Sequence, residues 1–300
     1  MDAETFVKTR LTSGELTHAQ IAHLVRAFQL QNGLKADGKP GEITLGRIGD
    51  LLAYYGGEIT HPTSLELEKL LPDLALDPAE WLFGIDIDHH QRIDEDALDL
   101  DTVQFAFVGV TEGTSGRASV DPRFREHLTE LRSAGVALGV YHFGRPSSTR
   151  LFGPDFGQPL GEAQNFARQW EIAESIAGRL LPPVLDMEDE KEQLSNAELI
   201  DWTLKWCEHC ERLTGRTPII YTYFSFIHTQ LKEYVGDLTR YPLWLADYKG
   251  APPQDAPRDI PNWPWLFWQF TGSGTVRGIK GQCDRNVFRG TRAQLESLLG

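Results

Sequence analysis

From Trp81 to the C-terminus, short apolar runs of strand character alternate with longer segments of helical period. Strands are predicted over Trp81–Asp86, Gln104–Val110, Ala137–Phe143, Pro183–Glu188, Pro218–Tyr223, Leu243–Asp247, Leu266–Phe270 and Cys283–Val287. Helices are predicted over Pro122–Ala134, Gly161–Ala177, Asn196–Leu213 and Phe226–Val235. Eight strands interleaved with helices specify an α/β chain built on a (β/α) barrel. Helical segments become sparse after the fifth strand, so the predicted barrel is irregular.

The predicted strands end in polar and aromatic residues. Asp86 ends the first and Glu112 follows the second. Tyr141 and His142 end the third, Asp186 and Glu188 the fourth, Tyr221 and Tyr223 the fifth. Asp247 ends the sixth, Trp268-Gln269 lies in the seventh, and Asp284 opens the last. Barrel sites are assembled at strand C-termini from several strands at once. One polar strand end means little, whereas the same pattern on seven strands points to a site.

The fourth strand carries the most specific chemistry. Its apolar run, Pro182-Pro183-Val184-Leu185, closes on Asp186-Met187-Glu188. Side chains at i and i+2 of a strand share a face, so both carboxyls converge. Like charges held together push one group toward its protonated form, which lets one site hold an acid and a base. Glycoside hydrolysis uses such a pair. Acidic residues after a strand are also an ordinary solvated turn, and Asp189-Glu190 continue the run here. The strand-end pattern gives weight to the catalytic reading.

The N-terminal part is different. Ile21, Leu24, Val25 and Phe28 form a helical stripe after a candidate cap at Thr17, and Asn32-Gly33 stops it. Asp37-Gly38 and Pro40-Gly41 mark turns, and Thr44 opens a second candidate helix. Gly56-Gly57, Pro62, Pro72 and Pro78 punctuate the connection to the first predicted strand. The expected organisation is therefore a small all-α module over 1–58, a linker over 59–80 and the barrel over 81–300.

Composition narrows the classes of function. The net charge is −14, from 29 basic and 43 acidic residues. That balance argues against nucleic acid, whose phosphates need a basic surface. Residues 1–60 carry six basic and seven acidic residues, so nearly all the charge belongs to the rest. No apolar run approaches a membrane span, and no membrane insertion is expected. Met1 to Arg10 has no apolar core like that of a secretory signal. A protein made in the cytoplasm and acting outside it would need another route, such as a phage-type holin or a secretion apparatus. The three cysteines give no disulfide framework, and Cys207-x-x-Cys210 lacks the partners of a zinc site. Cys207 and Cys210 are expected to pack in a helix beside Trp206, and Trp202 and Trp206 to belong to the core.

The N-terminal residues Val25, Phe28-Gln29, Gly33-Leu34, Asp37-Gly38, Gly41 and Thr44 resemble the peptidoglycan-binding domain family. The resemblance implies wall binding through a module that includes Phe28, Gln29, Asp37 and Gly38. The bland alternative is a helical cap that binds nothing.

Residues 81–300 resemble the glycoside hydrolase family 25 muramidases. The matching pieces, in order, are Gly84-Ile85-Asp86, Phe107-Val108, Thr111-Glu112-Gly113, Asp121, Phe124, Gly139-Val140-Tyr141-His142-Phe143, Leu185-Asp186-Met187-Glu188, Ile220-Tyr221-Thr222, Leu243-Trp244-Leu245-Ala246, Trp268-Gln269-Phe270 and Asp284-Arg285-Asn286. The resemblance implies cleavage of the β-1,4 bond between N-acetylmuramic acid and N-acetylglucosamine in the glycan strands of peptidoglycan. It assigns Glu188 as general acid/base and Asp186 as the group that orients the substrate's 2-acetamido group. Asp86 and Asp284 match two further catalytic-site acids. Glu112, Tyr141, His142, Tyr221, Trp268 and Gln269 are the expected substrate-binding residues, with Tyr141, Tyr221 and Trp268 facing sugar rings.

One position departs from the family pattern. Asp88 stands where the family usually has serine, which adds a carboxylate beside the site. No cofactor or metal is required, and His89-His90 are expected to face opposite sides of a strand. Two other readings stay open. A chitinase-like enzyme is disfavoured because Leu181 and Val184 stand where its first two acids would be. A non-catalytic wall-binding protein would be favoured by loss of Glu188 or Asp186, and both are present.

Overall fold

A computed structural model describes residues 81–114, 119–147, 158–188, 194–231, 235–248 and 256–300. The expected helical module, with Phe28, Gln29, Asp37 and Gly38, and the linker after it lie outside the described residues.

The strands are β1 (Leu82–Ile87), β2 (Arg92–Ile93), β3 (Phe105–Glu112), β4 (Ser119–Val120), β5 (Ala137–Phe143), β6 (Val184–Asp186), β7 (Ile219–Tyr223), β8 (Leu243–Ala246), β9 (Trp265–Gly274), β10 (Ile279–Lys280) and β11 (Cys283–Phe288). Their order in the main sheet is β1-β11-β9-β8-β7-β6-β5-β3-β4, and β1 also pairs with β3. Eight strands therefore close into a barrel, with β4 appended to β3. Seven barrel strands run parallel. Only β11 is antiparallel to both its neighbours, β1 and β9. This reversal brings the start of β11, with Asp284, to the rim where the other seven strands end.

Three long helices cover the barrel: α1 (Phe124–Ser133), α2 (Pro159–Ala177) and α3 (Asn196–Thr214). Helix α3 starts as its sequence demands. Ser195 and Glu198 form a reciprocal capping box. After β7 the connections shorten to α4 (Phe224–Phe226), a π turn over Ile227–Leu231 and α5 (Val235–Leu238). Beyond β9 a hairpin into β11 replaces a crossover helix, which accounts for the irregularity. A last short helix, α6 (Arg292–Ser297), follows β11.

Strand alternation sorts the apolar residues into two cores. Inside the barrel lie Phe105, Phe107, Val184, Trp244, Phe267 and Phe288. Phe107 packs 4.6 Å from Trp244 and 5.1 Å from Phe267, measured between ring centroids. The large rings fit because glycine faces them. A Cβ at Gly139 would come within 2.3 Å of the Phe107 ring. Between barrel and helices lies the second core, with Val108, Val140, Leu185 and Leu245 against Leu128, Phe166 and Trp170. Trp206, Cys207 and Cys210 are buried in that layer, and all three cysteines are free thiols.

Candidate active site

The inward positions that stack aromatic rings at the barrel's middle carry carboxyls and amides at its C-terminal rim. On β1, Asp86 lies two residues beyond Gly84 and pairs in register with Asp284 of β11. On β6, Asp186 follows Val184 by two and lies beside Tyr221 of β7. Asn286 of β11 lies opposite Gln269 of β9. The same parity continues past β6. Met187 turns outward, where its sulfur accepts a hydrogen bond from Thr203 at 2.7 Å. Asp186 and Glu188 are thus left on the inner side.

Asp86 is buried and well supplied with donors. Its Oδ2 accepts from Asn286 Nδ2 at 2.7 Å and from Gln269 Nε2 at 3.0 Å. Asn286 is itself oriented by Trp244, whose Nε1 donates to Oδ1 at 2.9 Å. Gln269 is oriented by the hydroxyls of Tyr221 and Tyr248, each donating to Oε1 at 2.9 Å. Asp284 adds a carboxyl–carboxyl hydrogen bond to Asp86. Burial pushes the Asp284 carboxyl up to about 9, and the negative charge of Asp86 and the hydrogen bond to it act in the same direction. The Asp284 carboxyl is therefore biased toward the protonated form. Asp86 is also raised by burial, against which the donors from Asn286, Gln269 and Asp284 work.

Asp186 is raised well above the usual carboxylate range, first by burial and then by the charges of Glu188, Asp86 and Asp284, with Arg145 opposing. Its Oδ1 is buried and accepts no hydrogen bond from any described residue. Glu188 is half-buried and lines a cavity of about 330 Å³ with Tyr221, Tyr223, Asp247, Tyr248 and Arg258. Tyr141 packs its ring over Gly109, and its hydroxyl feels Asp86, Asp88, Asp186 and Asp284.

The structure thus brings together Asp86, Asp186, Glu188, Asp284, Tyr141, Tyr221 and Gln269. Glu112 stands at the end of β3, partly exposed, and holds Arg145 at 2.6 Å. Two expected cleft residues are not in it. His142 is fully buried on the outer face of β5, between Thr111 Oγ1 (2.8 Å from Nδ1) and Glu162 Oε2 (2.9 Å from Nε2). It stacks on Trp206 at 5.4 Å. Trp268 is likewise fully buried, donating its Nε1 to the Asp247 carbonyl at 2.9 Å and packing on Trp81 and Trp265. Both follow from alternation: with Tyr141 and Gln269 facing in, His142 and Trp268 face out.

Three contributors were not assigned from the sequence. Asn286 had a signal, since it follows Asp284 by two on a strand. Tyr248 and Arg258 lie beyond strand ends, where parity gives no guide. Arg258 is fixed by Asp247, to which its backbone N–H donates at 2.9 Å and its Nε at 3.1 Å. Asp88 lies just past β1, and its charge adds to the upward shift of Asp86 and Asp284. His89 and His90 lie in a turn rather than on a strand, and their rings stack 4.0 Å apart instead of facing opposite ways.

A family model described as glycosyl hydrolases family 25 matches residues 85–279, a span that holds most of this rim. The chain belongs to glycosyl hydrolase family 25. Among relatives of this family 25 chain, lysozyme M1 of Streptomyces globisporus is 31% identical over 224 residues, covering 72% of this chain and 70% of the relative. The uncharacterized protein YegX of Escherichia coli K12 is 30% identical over 253 residues, covering 84% and 83%. The crystal structure of a bacterial lysozyme from Streptomyces coelicolor superposes with a TM-score of 0.60 at 30% identity, over 72% of this chain and 96% of that one. The family 25 barrel is thus a glycoside hydrolase fold.

Proposed function

We propose that this family 25 enzyme is an N-acetylmuramidase that cleaves the β-1,4 bond between N-acetylmuramic acid and N-acetylglucosamine in peptidoglycan. The observation that carries the reading is the buried, unpaired Oδ1 of Asp186 beside Glu188. A buried acceptor without a donor costs about 1–3 kcal/mol, and a substrate amide N–H would remove that cost. The 2-acetamido group of an N-acetylated sugar offers such a donor on the carbon next to the reacting one.

In the proposed mechanism, Glu188 donates a proton to the glycosidic oxygen as the C–O bond breaks. The acetamido oxygen closes on the anomeric carbon, and Asp186 Oδ1 accepts the amide N–H as positive charge grows on that nitrogen. Glu188, now a carboxylate, takes a proton from water, which opens the cyclic intermediate and completes hydrolysis with retained configuration. Asp86, held by Asn286 and Gln269 and sharing the Asp284 proton, forms an acidic wall for the oxocarbenium-like centre.

Two substitutions test this assignment. Glu188→Gln removes the proton donor and base and is expected to lower turnover at least about 1,000-fold with folding intact. Asp186→Asn presents an N–H to the acetamido N–H and is expected to lower kcat roughly 100-fold or more. Proton NMR of the first anomer released is expected to show retention. Inversion, or near wild-type turnover in either variant, would refute the mechanism.

A further inference from the structure

Arg258 has no part in the proposed mechanism, yet it lines the cavity of about 330 Å³ that holds Glu188. It lies between β8 and β9, and among the described residues it is the one basic side chain lining that cavity. Its guanidinium is held on one edge and one face. The Nε–Nη2 edge grips the buried Asp247 carboxylate, with Nε 3.1 Å from Oδ1 and 3.2 Å from Oδ2, and Nη2 2.5 Å from Oδ1. The face lies over the Phe224 ring, with Cζ 3.6 Å from the ring centroid. Asp247 is fixed in turn, since its backbone N–H donates to the Gln269 carbonyl at 3.1 Å and its carbonyl accepts Trp268 Nε1 at 2.9 Å. None of these bonds uses Nη1, and the Arg258 side chain is 55% exposed. An arginine pinned this way offers its remaining Nη1–Nη2 edge as a pre-oriented fork of donors. The charges around it are negative, with Asp186, Glu188, Asp86 and Asp284 acting on one another. A carboxylate entering with the substrate would be repelled there unless a cation met it. Arg145, whose charge reaches Asp186, pairs with Glu112 and does not line this cavity.

We infer, on the muramidase reading above, that Arg258 is a specificity-determining residue that binds the carboxylate of a muramyl unit through its Nη1–Nη2 edge. N-acetylmuramic acid differs from N-acetylglucosamine by a lactyl ether on C3, which ends in a carboxyl. C3 is the neighbour of C2, whose acetamido group the mechanism gives to Asp186. Guanidinium and carboxylate match as a two-bond fork. The carboxylate has two sources, the lactyl group itself on peptide-free strands or a free carboxylate of the stem peptide where the lactyl group is amide-linked. A chain of N-acetylglucosamine alone has neither, although its β-1,4 bonds and acetamido groups are the same. Glu188 and Asp186 address only groups that both polymers share, so they cannot tell them apart. Arg258 can, because specificity is a difference of affinities and the carboxylate is where the two polymers differ.

The test is isothermal titration of the full-length Glu188→Gln protein, with and without Arg258→Gln, against three tetrasaccharides. One alternates N-acetylglucosamine and N-acetylmuramic acid without peptide, one is the same chain with stem peptides, and one is the β-1,4-linked N-acetylglucosamine tetramer. Arg258→Gln is expected to weaken a muramyl ligand at least about tenfold and to leave the N-acetylglucosamine tetramer unchanged. Loss with the peptide-free ligand assigns the carboxylate to the lactyl group, and loss with the peptide-bearing ligand alone assigns it to the stem. If Arg258→Gln loses the N-acetylglucosamine tetramer as well, Arg258→Lys is read in its place. It keeps a charge toward Asp247 but has no second edge, so the same selective loss is expected. Unchanged affinity for both muramyl ligands in the variant read, or equal weakening of all three ligands in Arg258→Lys, would overturn the inference. Failure of the muramidase reading shows separately, as no reduced N-acetylmuramic acid after digestion by the wild-type protein.

Discussion

Four carboxyls crowd one barrel mouth, and burial and the charge of Asp86 favour a proton on Asp284. Its ordinary value is 3.8, and in the folded protein it is pushed up to about 9 by burial and by Asp86. Below about pH 4 the folded and unfolded chains both hold this proton. Between roughly pH 4 and 9 only the folded chain does, so stability declines as pH rises through that window. Asp284→Asn keeps a donor toward Asp86 but removes the titration. Denaturation followed from pH 4 to 9 is therefore expected to show wild type losing about 1–3 kcal/mol more than the variant. Parallel curves would mean that Asp284 does not carry the proton. At this scale the sequence is readable wherever spacing on a strand sets the direction of a side chain. Strand spacing puts Asp86, Asp186, Glu188 and Asp284 on one rim, and Asn286 obeys the same spacing without being assigned. Tyr248 and Arg258 are not readable, because their placement depends on loop paths that local periodicity does not encode.

Parity is the lesson at the scale of the element. A strand residue facing the cleft forces its neighbours out, so Tyr141 and His142, or Gln269 and Trp268, cannot both touch a sugar. That rule alone sends His142 and Trp268 to the barrel–helix layer. It fails at His89-His90, where the strand has already ended and a turn places both rings together. The outward residues have structural work. His142 satisfies Glu162 and Thr111 in a dry layer, and Trp268 ties β9 to the end of β8 through the Asp247 carbonyl. His142→Phe removes one of the two partners of Glu162 Oε2, leaving the Arg145 backbone N–H at 3.0 Å, and is expected to cost about 1–3 kcal/mol of stability. Trp268→Phe loses one hydrogen bond and some ring volume, with an expected cost of about 1–2 kcal/mol. Chemical denaturation measures both. In each variant KM for glycan is expected to stay unchanged per folded molecule, and a raised KM in Trp268→Phe would restore that ring to the cleft. The predicted strands match because β-branched and aromatic runs end at Gly, Pro and Asp. The closing hairpin is not legible as a reversal, since a strand sequence does not state its direction.

For the whole molecule, the antiparallel β11 completes the site. The β9–β11 hairpin closes the barrel without a crossover helix, and the reversal carries Asp284 and Asn286 to the rim where Asp86 waits. The acidic balance of the chain, −14 overall, gives it no long-range attraction to an anionic wall. Under the proposed function, affinity for the glycan comes from close contacts in the cleft, and wall binding by residues 1–58 is a separate expectation. A comparison of two Glu188→Gln proteins, the full chain and residues 81–300, isolates binding from hydrolysis. Co-sedimentation with insoluble peptidoglycan is expected to retain more of the full chain, at least about tenfold if the module binds. Equal retention would reduce residues 1–58 to a cap. The central claim is met most directly by digesting purified peptidoglycan, reducing the new ends with borohydride and identifying them by mass spectrometry. Reduced N-acetylmuramic acid, absent when Glu188→Gln is used, is the predicted result. Reduced N-acetylglucosamine, or no new ends from several walls, would contradict it.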